Sequence, residues 1–563
     1  MPLTKTTSHK KTPKKTPHQT GSSLSRSAGK VGIAVLTSRV LGLVREIIFA
    51  ALFGASGWAN AFLAAFRIPN VLRELFAEGA LSAAFVPVFT DYLVNKKKKE
   101  AWRLASMVLT TVLWILAVLL ILVELFAAPL MKLYVPGFLN NWITINGEAC
   151  SLFDTTVLFL RIMFPFIIFI SLAATIMGIL NAHGKFFIPA MAPAMFNLAA
   201  VIVGGVLILT GMPAERAIFW WAFGVLAGGI TQMLVQIPVL MKTKFSFTPA
   251  FDFTFAHRGL RKIFLMLIPA VFGMAATQLN IFISSNFASS FNTGIAGMYY
   301  AFRLIYLPIG IFGVALGTVT TATLSHNHAR NDLNKLKNNL AHALRLNLIL
   351  IIPSIVGLLI LAEPIIRLVY ERGKFTPADT RMTAHILMAY CAGMIGYASN
   401  RIMAPVFYVF QKPLYPVIGS FISVTTNVIL CVLLKTTLGV PGLALAIASG
   451  ALLNFIWLFI IFQIQYGTLK GKGIYTTAAR ATISAVVMGA ALWGALQLCG
   501  TAMAQSAFLN AGLTILFMGI GTLLYFYGAQ RLGIREVDEL YENFLHLIRR
   551  FTQQKQTTHK TRR

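Results

Sequence analysis

Five arginines, Arg39, Arg45, Arg67, Arg73 and Arg303, lie inside stretches of this chain that otherwise read as membrane spans. A cationic side chain at the centre of a membrane helix costs roughly 2.5–3.5 kcal/mol on insertion scales. Five facing lipid would cost about 12–17 kcal/mol, comparable to the whole stability of an ordinary domain. They must therefore face something polar, and the least costly arrangement is a water-filled cavity among helices. A cavity lined by guanidinium groups favours an anion, and the planar guanidinium fork matches phosphate oxygens bidentately.

The spacing places these groups on stripes. In the first span Ser38, Gly42 and Arg45 recur at i, i+4 and i+7 and share a face, with Arg39 and Glu46 beside it. In the second, Asn60, Arg67, Asn70, Glu74 and Glu78 fall on one helical stripe, with Arg73 about 60° from Asn70. Pro69 interrupts that stripe and is expected to bend the helix, freeing a carbonyl toward a cavity. Arg303 sits near Pro308, with Gly310, Gly313 and Gly317 following. Gly42, Pro69, Pro308 and Gly313 are the expected hinge positions.

A purely structural reading pairs the arginines with Glu46, Glu74 and Glu78 as buried ion pairs. Five bases then meet three acids, so positive charge remains. A buried pair also gains little net stability, so it gives a weak reason to keep charges there. Other candidates are weaker. Lys185 and Lys412 stand at span ends, where lysine snorkels to headgroups. Arg401 could reach the cavity or pack at its edge. His183, His326 and His328 lack carboxylate partners or metal spacing, and no P-loop, zinc motif or nucleophile elbow is present. No enzyme activity, metal or cofactor is expected.

The elements that must position these residues follow from composition. The 563 residues are 57% hydrophobic and only 12% charged, against about 25% charged in a soluble domain. Apolar runs of about 20 residues recur from end to end, which predicts a polytopic all-helical membrane protein. Fourteen spans are predicted, at 31–54, 59–92, 103–127, 152–182, 187–210, 216–241, 262–288, 294–325, 341–362, 383–409, 414–435, 440–466, 477–498 and 506–529.

The net charge of +30 could suggest nucleic acid, but its distribution argues otherwise. Residues 1–30 carry seven Lys/Arg and no acid, and residues 531–563 carry eight against four acids. Basic loops such as KKKKE and HNHARNDLNKLK alternate with uncharged ones such as GASGWA and SSFNTG. That is the positive-inside pattern, and it puts both termini in the cytoplasm; anionic lipid suffices as the partner of the tails. Segment 367–381 breaks the pattern, being basic yet on the expected outer side. It is either a folded amphipathic outer segment or a sign of a miscounted span. Residues 1–30 have no signal-peptide pattern and read as a disordered tail. The four cysteines, Cys150, Cys391, Cys431 and Cys499, are scattered and read as packing residues, with a Cys150–Cys499 disulfide as the alternative.

An internal repeat is visible. AFR at 65–67 recurs at 301–303, and HGKFFIP at 183–189 is similar to FQKPLYP at 410–416. Spans one to six (31–241) then match seven to twelve (242–466), leaving 467–530 as an addition and 531–563 as a tail. Six helices per half give a parallel repeat, with any substrate site between the halves.

The blocks TSRVLGLVREIIFAALFGA, AFRIPNVLRELFAEGALSAAFVPVF, MYYAFRLIYLPIGIFGVALGTV and ILNAHGKFFIPAMAPAMFN closely resemble the MurJ (MviN) family of bacterial lipid II flippases, over about residues 28–530. The resemblance implies a fourteen-helix transporter of the multidrug/oligosaccharidyl-lipid/polysaccharide superfamily. It has two pseudo-symmetric six-helix lobes plus two extra helices lining a groove for the lipid tail. It implies translocation of an undecaprenyl-diphosphate-linked disaccharide-pentapeptide across the bacterial cytoplasmic membrane for peptidoglycan synthesis. It assigns the cavity arginines to Arg39, Arg45, Arg73 and Arg303, joined by Ser38, Asn70 and Glu78; Arg67, outside that assignment, is expected from its place on the stripe to assist. Departures are Asn60, where some members carry Asp, Phe302 and Tyr306, where some carry acids, and Glu74, where some carry Arg. These put a proton- or cation-coupling role of those acids in doubt; a coupling monovalent ion stays open, as do contacts with cell-wall synthesis machinery. The rival readings are a flippase for another polyprenyl-diphosphate oligosaccharide, a cation-coupled drug exporter, which would need an acidic cavity, and a non-transporting scaffold.

Overall fold

Without water to bond, backbone groups in lipid are satisfied inside helices, and long apolar runs here fold that way. The computed structural model describes residues 21–74, 81–95, 98–145, 148–252, 254, 256–330, 332–469, 473–539 and 542. The first half holds α1 (Gly21–Phe53), α2 (Gly57–Leu72), α3 (Leu81–Asn95), α4 (Lys98–Tyr134), α5 (Leu152–Met163), α6 (Phe166–Ala182), α7 (Phe187–Leu209), α8 (Ala214–Leu234) and α9 (Ile237–Lys242). There follow α10 (Arg258–Ala288), α11 (Gly294–Pro308), α12 (Val314–Ala329), α13 (Leu333–Ile360), α14 (Ala362–Tyr370), α15 (Pro377–Cys391) and α16 (Met394–Val409). The chain continues through α17 (Leu414–Leu434), α18 (Gly439–Tyr466), α19 (Ile474–Gln505) and α20 (Ala507–Arg531).

Among the described residues ten helical segments are long and apolar enough to cross a membrane. The other four predicted spans coincide with α1, with α2 and α3, with α10, and with α15 and α16. In α1 the charges Arg39, Arg45 and Glu46 lower the hydropathy. Helix α1 packs on α7 and α8, α2 on α5, and α3 on α6. A second set gathers α15, α16 and α17 around α18, and α13 packs against α19. Helix α10 touches both sets, meeting α3 and α4 on one side and α17 on the other.

Several features depart from the sequence reading. Helix α1 begins at Gly21, so part of the segment read as a disordered tail is helical. The end of the chain is not all free either: Ile534 and Val537 are buried, and Glu536 pairs with Arg345 of α13. A two-stranded antiparallel hairpin, β1 (Trp142–Ile145) with β2 (Glu148–Ser151), stands where a plain loop was expected. All four cysteines are free, so there is no Cys150–Cys499 disulfide.

The anomalous basic segment is folded. On α14, Arg367 reaches Glu363 at 3.0 Å and Glu371 at 3.3 Å, so its charge is answered locally. Thr376 and Asp379 form a capping box that starts α15. The turn between them lies on the end of α1 remote from the N-terminus: the Lys374 N–H donates to the Ala51 carbonyl at 2.8 Å. Gly54 and Gly373 both have φ of +58°, and a Cβ on either would run into backbone of the other strand of this contact.

Candidate functional site

The polar stripe of α1 meets α11 at one carboxylate. Glu46 is buried, 7% exposed. Its Oε1 forms a salt bridge with Arg303 Nε at 2.9 Å and accepts from the Tyr299 hydroxyl at 3.2 Å and from Arg45 Nη2 at 3.4 Å. Arg303 also donates to the Tyr299 hydroxyl at 3.3 Å and lies over that ring, 5.2 Å from its centroid. Tyr299 and Arg303 are four apart on one helix, so the ring braces the guanidinium from the same face. Arg45 sits over the Phe196 ring of α7 at 5.4 Å. Beside these groups lies a small aromatic recess lined by Phe49, Phe62, Phe66 and Trp221. The side chain of Arg303 keeps 43% of its surface open, so the salt bridge leaves it accessible to a ligand.

A second cluster joins α2 to α10. Asn70 donates to Glu74 Oε1 at 2.7 Å and accepts from Arg73 Nε at 3.1 Å. Arg67 donates to Gln278 Oε1 at 2.6 Å, and Gln278 Nε2 donates to Glu74 Oε2 at 2.7 Å. The direct Arg67–Glu74 separation is longer, 3.8 Å.

The remaining predicted residues divide. Arg39 is exposed, and its Nη1 lies 3.9 Å from where a Cβ on Gly310 would stand, so α1 approaches the segment after α11 here. The Ser38 carbonyl accepts from Asn197 of α7 at 3.0 Å, and Gly42 packs on the same Asn197. Helix α2 runs through Pro69. After Pro308 the backbone widens into a π-helical turn, Ile309–Gly313, where a Cβ on Gly313 would stand 3.1 Å from Ala398. Glu78 lies outside the described residues. Among the described residues, then, Arg45 of α1 and Arg303 of α11 meet Glu46, Arg67 of α2 stands 3.8 Å from Glu74, and Arg39 meets neither carboxylate in a salt bridge.

Sequence reasoning missed Tyr299, Gln278 and Phe196. Tyr299 had a signal, being i−4 from Arg303; Gln278 had none. Asn60, noted only as a departure, is a tie: it donates to the Asn292 carbonyl and accepts from the Ala296 N–H at 2.7 Å. Phe302 packs against Tyr390 and Tyr397, whereas Tyr306 is partly exposed. Lys412 bonds Gln465 at 2.8 Å and lies over Tyr466, away from the arginines. No group of three or more His, Cys, Asp or Glu able to hold a metal occurs among the described residues.

The sequence model of the lipid II flippase MurJ family matches residues 49–513. A probable lipid II flippase MurJ of Vibrio cholerae is 32% identical over 514 residues, covering 90% of this chain and 96% of that protein. A lipid II flippase MurJ of Burkholderia cenocepacia is 34% identical over 451 residues, covering 78% and 82%. A solved structure, lipid II flippase MurJ in an inward closed conformation, superposes with a TM-score of 0.71 at 27% identity, covering 89% of this chain and 97% of that one. An inward-facing multidrug resistance MATE transporter shares the fold, with a TM-score of 0.61 at 15% identity.

Proposed function

We infer that this chain, which belongs to the lipid II flippase MurJ family, moves lipid II from the inner to the outer leaflet of the bacterial inner membrane, as a multi-pass membrane transporter. Such a family transports and does not catalyse, and its cargo supplies peptidoglycan synthesis. One observation carries the assignment of the site: Arg45 of α1 and Arg303 of α11 share the single carboxylate Glu46, leaving an excess of positive charge there.

In the proposed mechanism Arg39, Arg45, Arg73 and Arg303 bind the diphosphate, with Arg67, Asn70 and Ser38 assisting. Forked donors suit its oxygens, and a low dielectric strengthens each charge-assisted bond. The sugar-peptide head enters the wet cavity while the polyprenyl tail stays in lipid, beside α19 and α20. Leu498, Phe508, Leu523 and Val487 are exposed on those helices, which suits either a tail groove or bulk lipid.

We also propose two six-helix lobes, 31–241 and 242–466, rocking about a central axis, fourteen spans in all and both termini cytoplasmic. The closed end supports this reading. At the end remote from the N-terminus, Lys374 bonds Ala51, the Tyr300 hydroxyl bonds the Gly54 carbonyl at 2.9 Å, and Asn60 ties α2 to α11. At the other end α1 and α12 expose Ile33, Leu36, Val40 and Val319. A state shut outside and open inside is the one that receives cargo from the cytoplasmic leaflet. Exchange to the opposite state breaks the outer contacts. Membrane potential is a plausible drive, at about 2.3 kcal/mol per charge per 100 mV.

Reconstitution tests this directly. Liposomes carrying the protein should exchange lipid II between leaflets, with a rate that changes when a potential is imposed. No exchange above protein-free liposomes would defeat the reading. Exchange of other polyprenyl-diphosphate sugars at the same rate would favour the broader flippase.

A further inference from the structure

Gln278 stands on α10, the helix that packs on both sets of helices, and its amide spans the gap between two charges on α2. Its Oε1 accepts from Arg67 at 2.6 Å and its Nε2 donates to Glu74 at 2.7 Å. Both bonds are charge-assisted, and together they are about twice as strong as neutral ones. The two partners fix the orientation, since a flipped amide would aim N–H at a guanidinium and oxygen at a carboxylate. The direct Arg67–Glu74 distance of 3.8 Å is long for an ion pair, so the amide mediates their contact.

We propose that Gln278 is a positioning residue for transport, an anion-sensitive latch that holds α10 to α2 until the diphosphate claims Arg67. This rests on the diphosphate reading of the site. Arg67 gives one donor, Nη2, to Gln278 and keeps a buried Nε with no hydrogen-bond partner; a diphosphate that takes the Nη2 edge of the fork, carrying full charge, outcompetes a neutral amide oxygen for it. Once Arg67 turns to the cargo, Gln278 loses its acceptor role and retains a single bond to Glu74. Helix α10 is then freer to part from α2, which couples occupancy to the rocking of the halves. Only a carboxamide of this length supplies donor and acceptor from one planar group. Leucine supplies neither, asparagine is one methylene short, and glutamate would set a second carboxylate against Glu74.

The test is an exchange of chemistry across the pair. Gln278→Glu should slow lipid II exchange in liposomes by about tenfold, the loss expected from about one charge-assisted hydrogen bond. Adding Glu74→Gln restores one carboxylate and one amide beside Arg67 and should return the rate to within about threefold of the parent. A second readout needs no cargo. Cysteines introduced by Ala51→Cys and Lys374→Cys report closure of the outer end through a short bifunctional cross-linker. Cross-linking yield should fall in Gln278→Glu and in Gln278→Leu and recover in the double variant. A double variant no better than Gln278→Glu in both readouts, or a Gln278→Leu protein that cross-links and exchanges like the parent, overturns the latch. If the parent protein exchanges no lipid II, the flippase reading fails, while the cross-linking series still decides the latch.

Discussion

Asn60 on α2 and Ala296 on α11 stand 236 positions apart and are joined directly, the Ala296 N–H donating to Asn60 Oδ1 at 2.7 Å. The same offset separates the two AFR blocks and therefore Arg67 from Arg303. Two positions related by that offset thus touch directly. Because the Asn60 side chain also donates to the Asn292 carbonyl, it uses both ends of its amide. Asn60→Ala should lower thermal stability in detergent by about 1–3 kcal/mol, because the buried Ala296 N–H loses its partner. Asn60→Asp keeps the acceptor but sets a carboxylate against a carbonyl, and should cost at least as much. Thermal unfolding of the two variants beside the parent measures both.

Glu46 is the shared counter-charge for Arg45 and Arg303. Glu46→Gln keeps shape and one acceptor but leaves both guanidinium groups unneutralised. Diphosphate affinity should rise, because the cargo no longer competes with the carboxylate, while stability falls by about 1–3 kcal/mol. Binding of undecaprenyl diphosphate followed by tryptophan fluorescence, with Trp221 beside the site, checks the first effect. Unchanged affinity would mean that Glu46 does not compete with the cargo.

Arg73 and Arg303 differ in what their loss should show. Arg73→Ala and Arg303→Ala should each fail to support growth of cells depleted of their own flippase, and should slow lipid II exchange by at least about tenfold. Arg→Lys at either position keeps the charge and loses the fork, so partial function is expected. Stably inserted alanine variants with full activity would remove these residues from the diphosphate site.

Gly54→Ala and Gly373→Ala should each destabilise the contact between the end of α1 and the turn before α15. Both glycines sit at φ +58°, and an added Cβ meets backbone across the contact. The left-handed conformation alone costs roughly 1–2 kcal/mol for an L-residue. The Ala51–Lys374 cross-linking yield should fall in both variants, whereas Gly205→Ala, where nothing lies within 4 Å, should leave it unchanged.

His257 caps α10 from the loop side, its Nδ1 accepting from the Leu260 N–H. Burial holds its imidazole below the usual value, with Arg103 adding to the shift and Asp252 and Glu100 opposing it. The unfolded chain therefore binds the proton more readily than the folded one. The cap's contribution is full above the ordinary value of about 6.5 and is lost as pH falls from there through the folded value. Protection of the Leu260 N–H against hydrogen exchange, relative to its intrinsic rate at each pH, should fall on acidification over that window. His257→Asp, an acceptor that stays ionised there, should remove the dependence.

The sequence by itself determined the class of the molecule and the charge carried inside its apolar spans. Apolar runs must be helices in lipid, and five arginines inside them must share a polar space, whatever the arrangement. The repeat was legible as a constant offset, and Tyr299 could have been read from its place one turn before Arg303. What only the tertiary structure decided is which charges meet. Gln278 bonds Arg67 and Glu74 from 211 and 204 positions away, and Glu46 meets Arg303 between separate helices. Such pairings leave no periodic trace, because they depend on how two helices approach and which rotamers then fit. The basic segment at 367–381 makes the same point: its charges looked misplaced until Arg367 was seen between Glu363 and Glu371, with the next turn folded onto the end of α1. Residue type and spacing set the charge of the cavity; the approach of α10 and α11 to α1 and α2 set how that charge is held.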